Sequence, residues 1–200
     1  MIPIFLIHDP QRKDRRDLFR KEFQDQGIDM YTLVPADKST NDPIRNIARV
    51  HKKCIRMAIE ANHPEIVIME DDVKFACTGS YSEFLKLYEI HGKDCDIFTS
   101  GSYSYNATPR EKDAEYLQVL KLRNFSGLHC YIVKAKVYEL MLRLSETTNY
   151  DRSIESRKFN ILMTYPMMAL QHDGMSDNVK KVTNYNTVYK DKIKLWNCER

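Results

Sequence analysis

An unbroken apolar run, Ile66-Val67-Ile68-Met69, ends on three consecutive carboxylates, Glu70-Asp71-Asp72, and constrains this chain more than any other feature. Four adjacent apolar residues without alternation read as a strand buried on both faces, the pattern of an inner strand in a parallel sheet. Such a strand needs helices against it, and the flanking sequence supplies them. Ile47, Ala48, Ile55, Ala58 and Ile59 recur at helical spacing in a stretch from about Ile44 to Ala61, which Asn62-His63-Pro64 breaks. A second helical stretch covers Tyr81 to Ile90.

The same alternation runs through the chain. Ile2 to Ile7 reads as a first strand. Asp9 and Pro10 read as the cap and first position of a helix whose stripe is Leu18, Phe19 and Phe23, with Gly27 as its stop. Asp96 to Thr99, Tyr116 to Leu122 and His129 to Val133 are further strands, and Val137 to Leu144 a helix. This order predicts the α/β class: a Rossmann-like, mostly parallel sheet flanked by helices, with ligands outside the carboxyl ends of its strands. No repeat or linker interrupts it, so residues 1–200 are expected to form a single compact domain.

Composition removes several function classes. With 42% hydrophobic and 30% charged residues the chain can bury a core, so it is not a disordered polyelectrolyte. No apolar run approaches the ~20 residues that cross a bilayer. Lys and Arg exceed Asp and Glu by only three, and the densest basic stretch, Arg12 to Arg16, is diluted by Asp14. No nucleic-acid partner is expected from that balance. The five cysteines are scattered with no Cys-x-x-Cys, which reads as idle thiols in a reducing compartment. Ile2 to Ile7 lacks the flanks of a signal peptide, so the expected address is cytoplasmic.

Three carboxylates at the end of an inner strand repel one another, and burial opposes their ionisation unless a cation is present. Adjacent carboxylate oxygens suit Mn²⁺ or Mg²⁺, ions that keep waters and bridge to substrate phosphates. The bland alternative is a solvated acidic turn capping the next helix. A late His in Gln171-His172-Asp173 could join a metal sphere or lie in a polar loop, and His51 and His129 read as core residues able to line a pocket.

Several segments together resemble glycosyltransferase family 25, the lipopolysaccharide- and collagen-type galactosyl- and glucosyltransferases of the GT-A fold. Ile4 to Ile7 with Asp14-Arg15-Arg16 resembles its opening strand and acidic-Arg-Arg step. Glu70-Asp71-Asp72-Val73 resembles its variant of the Asp-x-Asp motif. Asp96-Ile97-Phe98 with Gly101 resembles its next inner strand, and Gly127 to Val133 its Gly-x-His-x-Tyr strand. Asp151, Pro166, Gln171 and Ser176-Asp177 resemble its C-terminal signature. His51 stands where the family shows a Ser-His pair, with Val50 in place of Ser; His8 and Gln11 replace the usual Asn and Arg.

The resemblance implies a metal-dependent transfer of galactose or glucose from a nucleoside-diphosphate sugar, UDP-linked, to a hydroxyl of a glycan, lipid-linked or protein acceptor, with inversion. It implies metal ligands Asp72, Glu70 and His172, and donor contacts from Ile7, His8, Arg15, Arg16, His51, Glu70 and Asp71. Asp151 is the first candidate for general base, with Asp173 and Asp177 behind it. Acceptor recognition is expected near Tyr103 to Glu115 and beyond Asp173. A metal-dependent phosphohydrolase or nuclease, and a non-catalytic protein keeping the transferase fold, are the alternatives.

Overall fold

The structure, a computed structural model, describes residues 1–112, 117–155, 157–176, 181–188, 190 and 193–197, except the side chains of 104, 105, 110–112, 185 and 188. In chain order its first half comprises β1 (Ile4–His8), α1 (Lys13–Gln26), β2 (Thr32–Pro35), α2 (Pro43–Glu60), β3 (Glu65–Glu70), β4 (Val73–Phe75), α3 (Ser80–His91) and β5 (Ile97–Thr99). Then follow β6 (Ser104–Lys112), β7 (Gln118–Ser126), β8 (Cys130–Lys134), α4 (Tyr138–Leu142), α5 (Tyr150–Glu155) and β9 (Ile161–Tyr165). The last elements are β10 (Ala169–Gln171), β11 (Gly174–Ser176), β12 (Lys181–Thr183) and α6 (Tyr185–Val188).

Eight strands form one sheet in the order β2-β1-β3-β8-β5-β9-β7-β6. The apolar runs of β1 and β3 are buried on both faces, and alternation along them separates two cores. Phe5, Ile7, Ile66 and Ile68 pack with Ala48, Cys54, Ile55 and Ala58 of α2. Ile4, Leu6, Val67 and Met69 pack with Phe19 and Phe23 of α1 and Phe84 and Leu87 of α3. Helices therefore cover opposite faces, as right-handed crossovers running in opposite directions, from β1 to β2 through α1 and from β2 back past β1 to β3 through α2, require. The sheet is mixed and mostly parallel, as expected: β1, β2, β3, β5, β6 and β9 share a direction, whereas β7 and β8 oppose it.

The exception at β8 has a local cause. Gly127 to His129 join β7 to β8 through a kink at Gly127 (φ +102°) and not through a hairpin reversal. β8 keeps the direction of β7 and enters antiparallel between β3 and β5.

Other boundaries depart from the sequence reading. α1 begins at Lys13 because residues 9–12 close a turn: Arg12 N donates to Asp9 O at 2.9 Å and Gln11 N to Asp9 Oδ1 at 3.0 Å. Asp9 thus caps a turn and not the helix. Gly27 does end α1, with φ +66°. Asp42 caps α2, its carboxylate accepting from Ile44 N at 3.0 Å. The polar stretch after Tyr103, where acceptor recognition is expected, forms β6, paired with β7; residues 113–116 lie outside the described residues. Cys54, Cys95 and Cys130 are buried thiols outside any disulfide, as expected, but Cys77 is disulfide-bonded, which its isolated position did not signal.

Candidate functional site

β1 and β3 end side by side, Ile7 in register with Glu70, and a cavity of about 770 Å³ opens beyond them. It is lined by the acidic triplet, by the loop between β2 and α2, by the first turns of α2, and by residues from the β7–β8 kink and the start of α5. This is the carboxyl edge of the parallel strands β1 and β3, the edge at which such sheets bind ligands.

The triplet divides into two sides. Glu70 and Asp72, two residues apart, are both reached by Gln171 Nε2, at 3.1 Å from Glu70 Oε2 and 3.3 Å from each oxygen of Asp72. Asp71 turns the other way, to His8 Nδ1 at 2.7 Å and to the backbone N of Asp9 at 3.4 Å. The strand ends at Glu70 and the chain turns through Asp71 and Asp72 before β4, and this turn produces the split.

Each carboxylate has its own electrostatic partner. Glu70 Oε1 accepts from His51 Nε2 at 3.1 Å, while His51 Nδ1 meets Tyr131 Oη at 2.9 Å and the ring stacks on Tyr150 at 5.3 Å. Burial pushes the Glu70 carboxyl up, but the His51 hydrogen bond and nearby positive charge outweigh it and leave it below the usual range. Asp71 goes the other way: burial dominates the His8 bond and raises its pKa. Asp72 Oδ2 lies 2.8 Å from Arg15 Nη1, and Arg15 Nη2 donates to Met175 O at 3.0 Å. Arg15 is buried, and its Nη1 lacks the alignment of a hydrogen bond despite the close ion pair. At the neighbouring edge Lys38 Nζ donates to Asp9 Oδ2 at 2.6 Å, and with the Gln11 N–H it outweighs burial to lower the Asp9 carboxyl.

Asp151 lines the same cavity at the start of α5, its Oδ2 accepting from Gly127 N at 3.1 Å. The structure brings Ile7, Arg15, His51, Glu70, Asp71, Asp72 and Asp151 to the lining of one cavity, and holds His8 behind it through Asp71. Arg16 is half-exposed beside Asp17 and does not line the cavity. His172 is turned away: its Nε2 meets Glu22 Oε1 at 2.9 Å, and only its backbone N touches the triplet, donating to Asp72 O at 2.7 Å. Asp173 receives Asn186 N at 3.1 Å outside the lining, and Asp177 lies outside the described residues. His129 is a core residue, as read: its Nε2 donates to Ala169 O at 3.0 Å, and burial lowers its pKa.

Sequence reasoning placed Asp9 at a helix cap, gave Gln171 no role in the site, and had no signal for Lys38. Asp9 stood at the carboxyl end of the first strand, the one position that could have flagged it.

No cluster of three His, Cys, Asp or Glu among the described residues is arranged to cage a metal. A hard divalent ion does not require one: Mg²⁺-type sites use one or two carboxylates plus substrate phosphates and water. Glu70 and Asp72, held on one side and facing the cavity, fit that donor set, and His172 stands outside it.

No family model and no curated protein sequence matches the chain. Among the described residues no helix is long and apolar enough to cross a membrane. Solved structures do resemble it. A197 from STIV superposes with a TM-score of 0.53 at 13% identity, over 92% of this chain and 95% of that one. A glycosyltransferase involved in the glycosylation of the major capsid of PBCV-1 gives 0.50 at 12% identity, over 78% and 74%. UDP-glucose pyrophosphorylase complexed with UDP-glucose gives 0.50 at 10% identity, over 94% and 81%. At these identities the likeness shows the fold, and the chain has the GT-A-like α/β fold expected from its sequence.

Proposed function

We propose that this chain is a metal-dependent glycosyltransferase of the family 25 type, moving galactose or glucose from UDP to a hydroxyl of a glycan, lipid-linked or protein acceptor with inversion. The observation that carries the reading is the placement of Glu70 and Asp72 on one cavity wall at the carboxyl end of an inner strand, with the Asp151 carboxylate lining the same cavity. The fold likeness to a glycosyltransferase is consistent with it.

The chemistry follows from the groups present. Breaking the anomeric bond of a nucleoside-diphosphate sugar leaves new negative charge on the diphosphate. A divalent ion, Mn²⁺ or Mg²⁺, supplies Lewis-acid stabilisation of that charge when bound. Asp72 and Glu70 would hold it. Arg15 offers a second cation at the same place, a planar donor suited to phosphate oxygens, and its Nη1 has no aligned partner. Asp71, held by His8 on the other side of the strand end, would orient the donor at the β1 edge. Asp151 would take the acceptor hydroxyl's proton as the hydroxyl oxygen attacks the anomeric carbon and the bond to the diphosphate breaks. Its Oδ2 is fixed by the Gly127 N–H, which orients the carboxylate and leaves a lone pair for the proton.

The test is a panel of UDP- and GDP-hexoses with Mn²⁺, scored by nucleotide release. Release from a UDP-hexose that Asp72→Asn abolishes supports the reading. Consumption of UTP with a sugar 1-phosphate, releasing pyrophosphate, would replace it with nucleotidyl transfer. Turnover of simple phosphoesters alone would replace it with a hydrolase, and no nucleotide binding at all would leave a non-catalytic protein.

A further inference from the structure

Gln171 touches two carboxylates with one nitrogen. Its Nε2 carries two protons, and it stands 3.1 Å from Glu70 Oε2 and 3.3 Å from both oxygens of Asp72. Two carboxylates two residues apart at a strand end repel and would splay; a donor placed between them cancels that tendency without neutralising either. The backbone that carries the amide is itself held in place. Gln171 N donates to Tyr103 Oη at 2.7 Å, Tyr103 Oη lies 3.2 Å from Gln171 O, and Asn186 Nδ2 donates to that carbonyl at 3.3 Å. β10 also pairs antiparallel with β4, setting Gln171 opposite Val73, the residue that follows the triplet.

We propose that Gln171 is a positioning residue whose carboxamide sets the spacing of Glu70 and Asp72, and so sets how tightly the pair takes a divalent cation together with a nucleoside diphosphate. The proposal rests on the reading of the triplet as a metal–diphosphate site. Gln171 does not itself ligate the ion: the arm it turns to the carboxylates is its Nε2, a donor and not an acceptor. It acts on affinity through geometry, as partners bonded to metal ligands do in general.

The experiment measures Mn²⁺ binding directly, from the electron paramagnetic resonance signal of free Mn²⁺, with and without UDP and with no sugar transfer involved. Gln171→Leu keeps the bulk and removes the donors. It is expected to weaken Mn²⁺ binding in the presence of UDP by about tenfold. Gln171→Glu keeps the shape but puts an acceptor between two carboxylates. It is expected to melt lower than Gln171→Leu without metal and to gain more from added Mn²⁺ than the unaltered protein does. A merely structural role would lower both melting temperatures and leave Mn²⁺ affinity untouched. Should Gln171→Leu fail to fold, Tyr103→Phe frees the backbone and leaves the amide, and a weakening of at least twofold is expected. Unaltered affinity in a folded Gln171→Leu, or in Tyr103→Phe where that variant stands in, overturns the proposal alone. Absence of Mn²⁺–UDP binding in the unaltered protein overturns it together with the metal–diphosphate reading.

Discussion

Removing the Asp72 carboxylate should cost stability as well as activity, because it strands a buried cation. Arg15 is 7% exposed, its Nη1 sits 2.8 Å from Asp72 Oδ2, and its other hydrogen-bonding anchor is the single carbonyl of Met175. At that distance the gross attraction is about 6 kcal/mol for an effective dielectric of about 20. Desolvating both ions offsets much of it, so the pair is worth little relative to two apolar side chains. Breaking it from one side is another matter, since the remaining charge stays buried, which typically costs about 3–5 kcal/mol. Glu70 and Asp71 still face Arg15 and share part of its charge, so about 3 kcal/mol is expected for Asp72→Ala. In a chain of this length that lowers the melting temperature by about 6–12 °C. The double variant Arg15→Met/Asp72→Ala removes the stranded charge and should recover most of the loss. Calorimetric or circular-dichroism melts of the two single variants and the double complete the cycle. A loss below about 1 kcal/mol for Asp72→Ala, or a double variant no more stable than that single one, would refute the reasoning. Asp72→Asn is the milder variant for activity measurements, since Asn keeps an oxygen for Arg15 to face.

Asp151→Asn should lower kcat about 10²- to 10⁴-fold with little change in the KM of the donor, read from nucleotide release with the acceptor saturating. Equal losses in kcat and in donor affinity would instead make Asp151 a donor contact. Asp71→Asn should raise the melting temperature at pH 7 while impairing donor binding. Burial raises the Asp71 pKa in the folded protein, so the folded state holds the proton more tightly and the charge opposes folding as pH climbs above the ordinary value of 3.8. The advantage of the variant should therefore fade as pH falls toward that value, and an Asn variant less stable at pH 7 would contradict the sign. Gly101→Ala places a Cβ 2.3 Å from the backbone oxygen of Ala169, and the overpacking should cost about 1–3 kcal/mol in a thermal melt.

The inner strands were legible because they are apolar on both faces: Ile4 to Ile7, Ile66 to Met69 and Cys130 to Val133 have no other reading as soluble segments. α2 was legible from its stripe, and Gly27 from its left-handed geometry. Beyond Leu144 the sequence suggested site residues but no helix or strand. Ile161-Leu162-Met163 is as apolar as β3, but it follows a polar stretch that carries no crossover pattern, and β10 to β12 are three residues each, too short for any periodicity. The site divides in the same way. Its anionic half was visible as adjacent letters, whereas its donors come from Arg15, Lys38, His51 and Gln171, and only folding brings them to the carboxylates. His172 shows the converse: neighbourhood in sequence put it beside Gln171, yet successive side chains of an extended segment point apart, and it pairs with Glu22.

The pairing of β10 with β4 ties Ala169-Leu170-Gln171 to Val73-Lys74-Phe75, residues made about a hundred positions earlier on the chain. During synthesis, β1, β2 and β3 with α1 and α2 can assemble first, since their contacts are comparatively local. At that stage the triplet would exist with no Gln171 between its carboxylates and no Met175 carbonyl behind Arg15. On the proposed reading, ligand binding would be postponed until β10 and β11 have docked. A nascent or truncated chain ending before β10 could fold its first sheet strands and still present a mutually repelling, poorly held acidic edge. Competence to bind would then report that synthesis had run past residue 171.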